Sequence, residues 1–387
     1  MGISGIVAEF NPLHNGHKYL IDRAKSDGNT VVCVISGNFV QRGDTAIVPK
    51  FSRTEMALEA GADMVIELPT PWSMSTAQNF AFGAVSQLLA FGIDSLYFGS
   101  ESANIDEILA VCKILQSGEY NTRIAKEINS NSKFSALRSK IVSDILGYTT
   151  LVLDNPNDTL AVEYILAANR LGAKLRFIPV KRIGANHNDS SHYNEFSNAT
   201  LIRKAIKENY NEYLYKFMPK NCVDILLSSP ISYIEKLDTA IISRLKLLKI
   251  EDFRSAPDIS EGIENLIYNG VRKSTSFFEL VDSVKTKRYT HARIRRLVLS
   301  AFLGIDKKYF GTAPPYVRVL GFKKEASALL NANNSKPLIT RVAQIKELDD
   351  LSLEIFELEN RINEIYALSL YKPELFVNEK TEKIVIK

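Results

Sequence analysis

The stretch Glu9-Phe10-Asn11-Pro12-Leu13-His14-Asn15-Gly16-His17 constrains this chain more than any other. It follows a short apolar run, Gly5–Glu9, that reads as a strand, and it opens a helical pattern over His17–Lys25. A turn with two imidazoles between a buried strand and a helix suits a phosphate. The helix start offers free N–H groups and a partial positive charge, and ligands of open parallel sheets bind at the carboxyl ends of strands. His14 and His17 are three residues apart and share a helix face. They can donate hydrogen bonds to phosphate oxygens as charge builds during attack on an α-phosphate. Pro12 stiffens the approach to the turn, and Gly16 lets a flat base or ribose come close to the backbone. A plain helix start with two polar caps is the alternative, and the position directly after the first strand favours the phosphate site. The patterns G-x-x-x-x-G-K-[ST], G-x-G-x-x-G and H-E-x-x-H do not occur.

The segments after this turn alternate. Strand patterns at Val31–Ile35, Met64–Leu68, Ser95–Phe98 and Leu175–Val180 are separated by helical patterns at Arg53–Ala60, Phe80–Phe91, Ile105–Gln116 and Leu160–Leu171. That order predicts a Rossmann-like α/β domain, a parallel sheet covered on both faces and lacking the dinucleotide fingerprint. From Ala199 the periodicity is mainly helical: Ile234–Ile250, Ser260–Tyr268, Ser276–Val284, Arg293–Phe302 and Leu348–Ala367, with the short strand candidate Val317–Leu320. The sequence therefore predicts a catalytic domain over 1–205 and a mainly α-helical domain over 206–387.

A chain of 387 residues suits two domains. The net charge of +4 is too small to diagnose a partner, so clustering matters more. Cys33, Cys112 and Cys222 are odd in number and widely spaced, which argues against a disulfide framework or a zinc site and for a reducing, cytoplasmic setting. Cys33 sits in an apolar run and is expected in the core. No apolar run approaches the ~20 residues of a membrane span, and no signal peptide is expected.

Two further segments carry candidate chemistry. Ser197-Asn198-Ala199-Thr200-Leu201-Ile202-Arg203-Lys204 places hydroxyls before a helix with two cations in its first turns. That suits the β- and γ-phosphates, or else a plain capped helix. Lys285, Lys287, Arg288, Arg293, Arg295 and Arg296 form a cationic run without an intervening acid, with Tyr289 and His291 placed to stack on bases. The run reads as an RNA-binding face or as a solvated helix face, and Arg318 is a weaker RNA candidate. His187 and His192 lie in a polar loop whose only acid is Asp189, which reads as a substrate-side or surface loop rather than a metal site.

His14-Asn15-Gly16-His17 and Thr200-Leu201-Ile202-Arg203 resemble the paired motifs of the HIGH nucleotidyltransferase superfamily. Val7-Ala8-Glu9-Phe10-Asn11-Pro12, Ser36-Gly37-Asn38-Phe39-Val40-Gln41-Arg42-Gly43, Val65-Ile66-Glu67-Leu68-Pro69, Phe98-Gly99-Ser100-Glu101 and Lys285-Thr286-Lys287-Arg288-Tyr289-Thr290 narrow the likeness. With them the chain resembles the bacterial tRNA(Met) cytidine acetate ligase family. The resemblance implies N4-acetylation of the wobble cytidine in the anticodon loop of elongator tRNA(Met), from acetate and ATP through an acetyl-adenylate. It also implies that Val7, Ala8, Glu9, Phe10, Asn11, Pro12, Leu13, His14, Asn15, Gly16, His17, Lys18, Tyr19 and Leu20 line ATP together with Gly99, Asn157 and Arg182. Asp158 stands where the family pattern has a second asparagine, and Asn198 where it has serine.

On this reading His14 and His17 stabilise the α-phosphate during adenylation. Thr200, Arg203 and a magnesium ion carried mainly by the triphosphate hold the departing pyrophosphate. The basic run then binds RNA. Two rival functions share parts of the pattern: a small-molecule cofactor adenylyltransferase, and a non-catalytic RNA-binding protein with a vestigial nucleotide site.

Overall fold

The computed structural model describes residues 2–127, 134–183, 199–260, 262–286, 288–331, 335–372 and 380–387. Lys287, Asn198, His187 and His192 lie outside them.

The first strand, β1 (Ile3–Ala8), runs parallel to β2 (Thr30–Ser36) on one side and to β6 (Ser95–Ser100) on the other. β5 (Met64–Leu68) pairs parallel with β2, and β7 (Arg176–Lys181) with β6. The chain thus builds outward from β1 in both directions, and β1 lies at the point where strand order reverses. The β-branched run Val31-Val32-Cys33-Val34-Ile35 is fully buried, as a central parallel strand covered on both faces must be. Helix α1 (Asn15–Ser26) buries Leu20, Ile21 and Ala24 and turns Asp22, Arg23 and Lys25 outward. A two-stranded hairpin, β3 (Phe39–Val40) with β4 (Asp44–Thr45), stands apart from the sheet beyond the carboxyl end of β2. Helix α2 (Lys50–Glu59) follows it.

The sheet does not stop at residue 205. The strand expected at Val317–Leu320 is β8 (Val317–Phe322), and it pairs antiparallel with β5. β9 (Leu338–Ile339) and β10 (Val385–Ile386) pair with β8 in turn. The helix Asp350–Ala367 also returns to the first half: Asn363 Oδ1 accepts from Asn38 Nδ2 at 2.9 Å, and the Tyr366 hydroxyl donates to the Ala46 carbonyl at 2.8 Å. The boundary predicted near residue 205 therefore separates a change of periodicity, not two independent cores. A six-residue strand and a buried helix face carry no mark of which sheet they will join, so sequence periodicity could not reveal this return.

Between β7 and β8 the described chain is helical. The single helix predicted over Ile234–Ile250 is instead a 3-10 turn, Ile234–Leu237, and a helix, Asp238–Leu247. The basic run contributes the helix His291–Leu303, capped by the Thr290 hydroxyl on the Arg293 N–H at 3.3 Å. The three cysteines are free and buried, Cys33 within β2.

Candidate active site

Where β1 ends, His14 caps α1. Its Nδ1 accepts the Gly16 N–H at 3.1 Å, and His17 Nδ1 accepts the His14 N–H at 3.3 Å. A ring nitrogen that accepts carries no proton, so each neutral imidazole holds its hydrogen on Nε2. Burial, then the charges of Arg182 and Arg203, lower the His14 pKa to about 3. Burial, then His14 and Arg182, hold His17 well below the usual histidine range. Both rings are therefore neutral donors at pH 7. They stack with centroids 3.8 Å apart, and Phe10 meets His17 edge-on at 5.1 Å. Gly16 serves this stack: a Cβ there would lie 3.0 Å from His14 Cε1 and 3.1 Å from Nδ1.

Cations converge on the pair from two sides. Arg203, on the helix Ala199–Lys207, donates to the Asn11 carbonyl at 2.8 Å and to the Thr200 hydroxyl at 3.2 Å. Arg182 follows β7 and donates to Asn157 Oδ1 at 3.4 Å. The Asn157 side chain in turn donates to Glu101 at 2.5 Å. Asp158 is fully buried; its carboxylate accepts from the Ser100 hydroxyl, the N–H groups of Glu101 and Ser102 at 3.1 and 3.0 Å, and Asn155 Nδ2 at 3.0 Å. An aspartate here closes the turn after Gly99, so this departure from the family pattern has a structural role.

One cavity of about 700 Å³ joins these parts. Val7, Ala8, Glu9, Phe10, Asn11, His14, Gly16, His17, Tyr19 and Leu20 line it from the first turn, with Gly99, Asn157, Arg182, Thr200 and Arg203 opposite. Pro12, Leu13, Asn15 and Lys18 do not. Pro12 and Leu13 are buried behind the turn, Asn15 donates to the Lys216 carbonyl at 3.2 Å, and Lys18 pairs with Asp22 at 2.6 Å on the outer face of α1.

A family model described as HIGH Nucleotidyl Transferase matches residues 1–382. A tRNA(Met) cytidine acetate ligase of a Thermoanaerobacter species is 37% identical over 387 residues, covering 95% of this chain and 96% of that protein. Its counterpart from Clostridium novyi is 36% identical, covering 92% and 93%. The chain belongs to the tRNA(Met) cytidine acetate ligase family of HIGH nucleotidyltransferases. Solved structures agree. Thermotoga maritima TmcAL bound with alpha-thio ATP superposes with a TM-score of 0.92 at 29% identity, over 100% of this chain and 99% of that one. The apo form gives 0.93 at 30%.

Within this family member, the basic run is not one solvated face. Tyr289, expected to stack on bases, is 4% exposed and packs in the core, with the Arg293 guanidinium 5.3 Å from its ring centre. Arg293 donates to the Asp258 carbonyl at 2.9 Å and to the Ser260 hydroxyl at 2.8 Å. Arg296 donates to the Gln41 carbonyl at 3.3 Å and lies 3.7 Å from the Asp258 carboxylate. Arg318 is 2% exposed on β8. These groups serve packing because their aliphatic stems and paired heads bury well between elements. Lys285 and Arg288 stay exposed, and among the described residues of the run Arg295 alone lines the cavity. His291 is exposed and faces Asp282 at 3.1 Å.

Arg53 escapes sequence reasoning. It is fully buried on α2 and donates to the carbonyls of Glu9, Ser36, Gly37 and Val48 at 2.8, 2.9, 2.5 and 3.2 Å. It thereby ties the carboxyl ends of β1 and β2, which shape the phosphate turn. Lys50, one turn earlier, pairs with Glu67 at 2.8 Å in the interior. The buried Glu359 from the distant helix joins them by accepting from the Thr70 N–H at 2.6 Å; burial and then Glu67 push its carboxyl up. The sequence marks Arg53 only as one polar residue among several on an amphipathic helical pattern.

Proposed function

We propose that this chain is an ATP-dependent acetate ligase that acetylates N4 of the wobble cytidine of elongator tRNA(Met). The observation that carries the reading is the stacked, neutral His14–His17 pair, which lines the cavity together with Arg182 and Arg203. An acetate oxygen attacks the α-phosphorus, the bond to the β-phosphate oxygen breaks, and pyrophosphate leaves. The imidazoles donate to the α-phosphate oxygens as charge builds, while Thr200 and Arg203 hold the leaving group and Arg182 the nucleotide. N4 of cytidine is a poor nucleophile because its lone pair is delocalised, so it needs the activated acyl donor. An anticodon loop presents an unstacked base cheaply. Lys285, Lys287, Arg288 and Arg295 remain the candidate RNA contacts of the basic run.

Among the described residues no three His, Cys, Asp or Glu side chains gather as a metal cage. A magnesium ion accompanying ATP would rest on the triphosphate oxygens. The proposed compartment is the cytoplasm, where the tRNA substrate is found. The test of the first step is acetate-dependent exchange of labelled pyrophosphate into ATP. Exchange with acetate and none without it is expected, and its absence would refute the adenylation step.

A further inference from the structure

Beside Arg203 the same cavity holds further polar side chains to which adenylation assigns no role. Asp44, on β4, and Arg295, on the helix His291–Leu303, face each other there across the cavity wall. Asp44 Oδ1 is held by the Thr45 N–H at 2.9 Å, which leaves Oδ2 toward Arg295. The Oδ2 to Nη1 distance is 3.9 Å, too long for a direct hydrogen bond, so acceptor and donor stand side by side without satisfying each other.

The juxtaposition is built into the fold. Gly43 has φ +70°, and a Cβ on it would lie 2.6 Å from Arg295 Cβ and 2.8 Å from the Arg296 N–H nitrogen. Only a glycine lets the hairpin approach the helix this closely. The Phe278 ring backs the arginine, 5.0 Å from its guanidinium carbon.

We propose that Asp44 and Arg295 read the Watson–Crick edge of the target cytosine, Asp44 accepting from the N4 amino group and Arg295 donating to N3 and O2. The inference rests on the acetate ligase reading above. Cytosine presents a donor beside acceptors, which matches an acceptor beside a donor. Uracil presents O4 to the carboxylate and an N3–H to the guanidinium, so those two contacts become repulsive and only the O2 contact survives. The same carboxylate completes the transfer. N4 bonds to the acetyl carbon, the bond from that carbon to the adenylate oxygen breaks, and its electron pair leaves with AMP. One N4 proton passes to Asp44. Burial raises the Asp44 carboxyl above its ordinary value while Arg295, the Thr45 N–H and Arg203 oppose the rise and Glu235 adds to it, which suits a proton acceptor.

The test uses the full chain and anticodon stem-loop RNAs that carry cytidine or uridine at the target position. Binding of each RNA, single-turnover acetyl transfer and acetate-dependent pyrophosphate exchange are measured for wild type, D44N and R295Q, with thermal melts as the folding control. Wild type should prefer the cytidine RNA by about tenfold or more, and either variant should shrink that preference to about twofold. D44N should slow transfer by about 100-fold, well beyond any effect on exchange. D44E keeps the acceptor and should retain the preference, which separates recognition from simple loss of packing. A preserved cytidine preference in folded D44N and R295Q overturns the proposal, as does a D44N exchange defect as large as its transfer defect. Wild type that shows no acetate-dependent exchange but still prefers cytidine would instead refute the acetate ligase reading and leave the base-reading pair standing.

Discussion

His14 and His17 stack face to face at 3.8 Å, and each spends its Nδ1 on a backbone N–H of the same turn. The turn thereby fixes the tautomer of both rings as well as their position. Neutrality has a measurable consequence for catalysis: neither imidazole should contribute an inflection near pH 6.5, the ordinary histidine value, to pyrophosphate exchange. A limb that titrates there and vanishes in His17→Asn would show that a charged imidazole acts instead.

The same shift bears on stability. The His14 pKa is lowered to about 3 in the folded chain, so the unfolded chain takes up the proton first as pH falls. The contribution is complete above about pH 6.5 and is lost progressively toward pH 3. His14→Asn keeps a good capping residue but removes the titration. Urea midpoints of wild type should fall more steeply than those of His14→Asn between pH 6.5 and 4, and parallel curves would contradict the depressed value.

Replacing His17 by alanine removes one Nε2 donor and the acceptor of the His14 N–H, while the His14 side chain still caps α1 through the Gly16 N–H. Exchange should fall by about 100- to 1,000-fold, the usual cost of losing one preorganised donor to developing charge. Circular dichroism should be unchanged. A folded variant with wild-type exchange would remove His17 from the mechanism.

Arg53→Met should destabilise strongly, because four carbonyls, three of them in fully buried bonds, lose this donor at once. A loss of about 3 kcal/mol or more is expected, read as a fall in Tm of several degrees. ATP affinity should fall with it, since the ends of β1 and β2 are no longer tied. A melt within a degree of wild type would show that those carbonyls find other partners.

The contrast between these residues explains what the sequence could disclose. His14, Gly16 and His17 were legible because their pattern sits at a strand-to-helix junction, where local geometry alone brings them together. The run of β-branched residues at Val31–Ile35 disclosed a buried parallel strand for the same local reason. Arg53, Glu67 and Glu359 were not legible, because their partners lie far along the chain and nothing local marks a polar side chain as buried. Arg293 and Tyr289 misled in the opposite direction. Charge and aromaticity on a helix look alike whether the side chains face RNA or, as with Arg293 and Asp258, an acid on a neighbouring loop.

Gly43→Ala tests the approach of the hairpin to the helix His291–Leu303. The new Cβ meets backbone rather than a yielding side chain tip, and the positive φ adds strain. The hairpin should move away from Arg295. Acetyl transfer to RNA should drop at least tenfold while exchange drops less, and equal losses in both would mean that the hairpin serves the ATP end instead.

The central claim is that acetate itself is activated on ATP and passed to tRNA. Labelled acetate, ATP and elongator tRNA(Met) are incubated with the protein in the absence of coenzyme A, and the digested RNA is analysed for labelled N4-acetylcytidine beside the AMP formed. Label at a single cytidine is expected, with one AMP released per acetyl group. Label that appears only when acetyl-coenzyme A replaces acetate and ATP would contradict it.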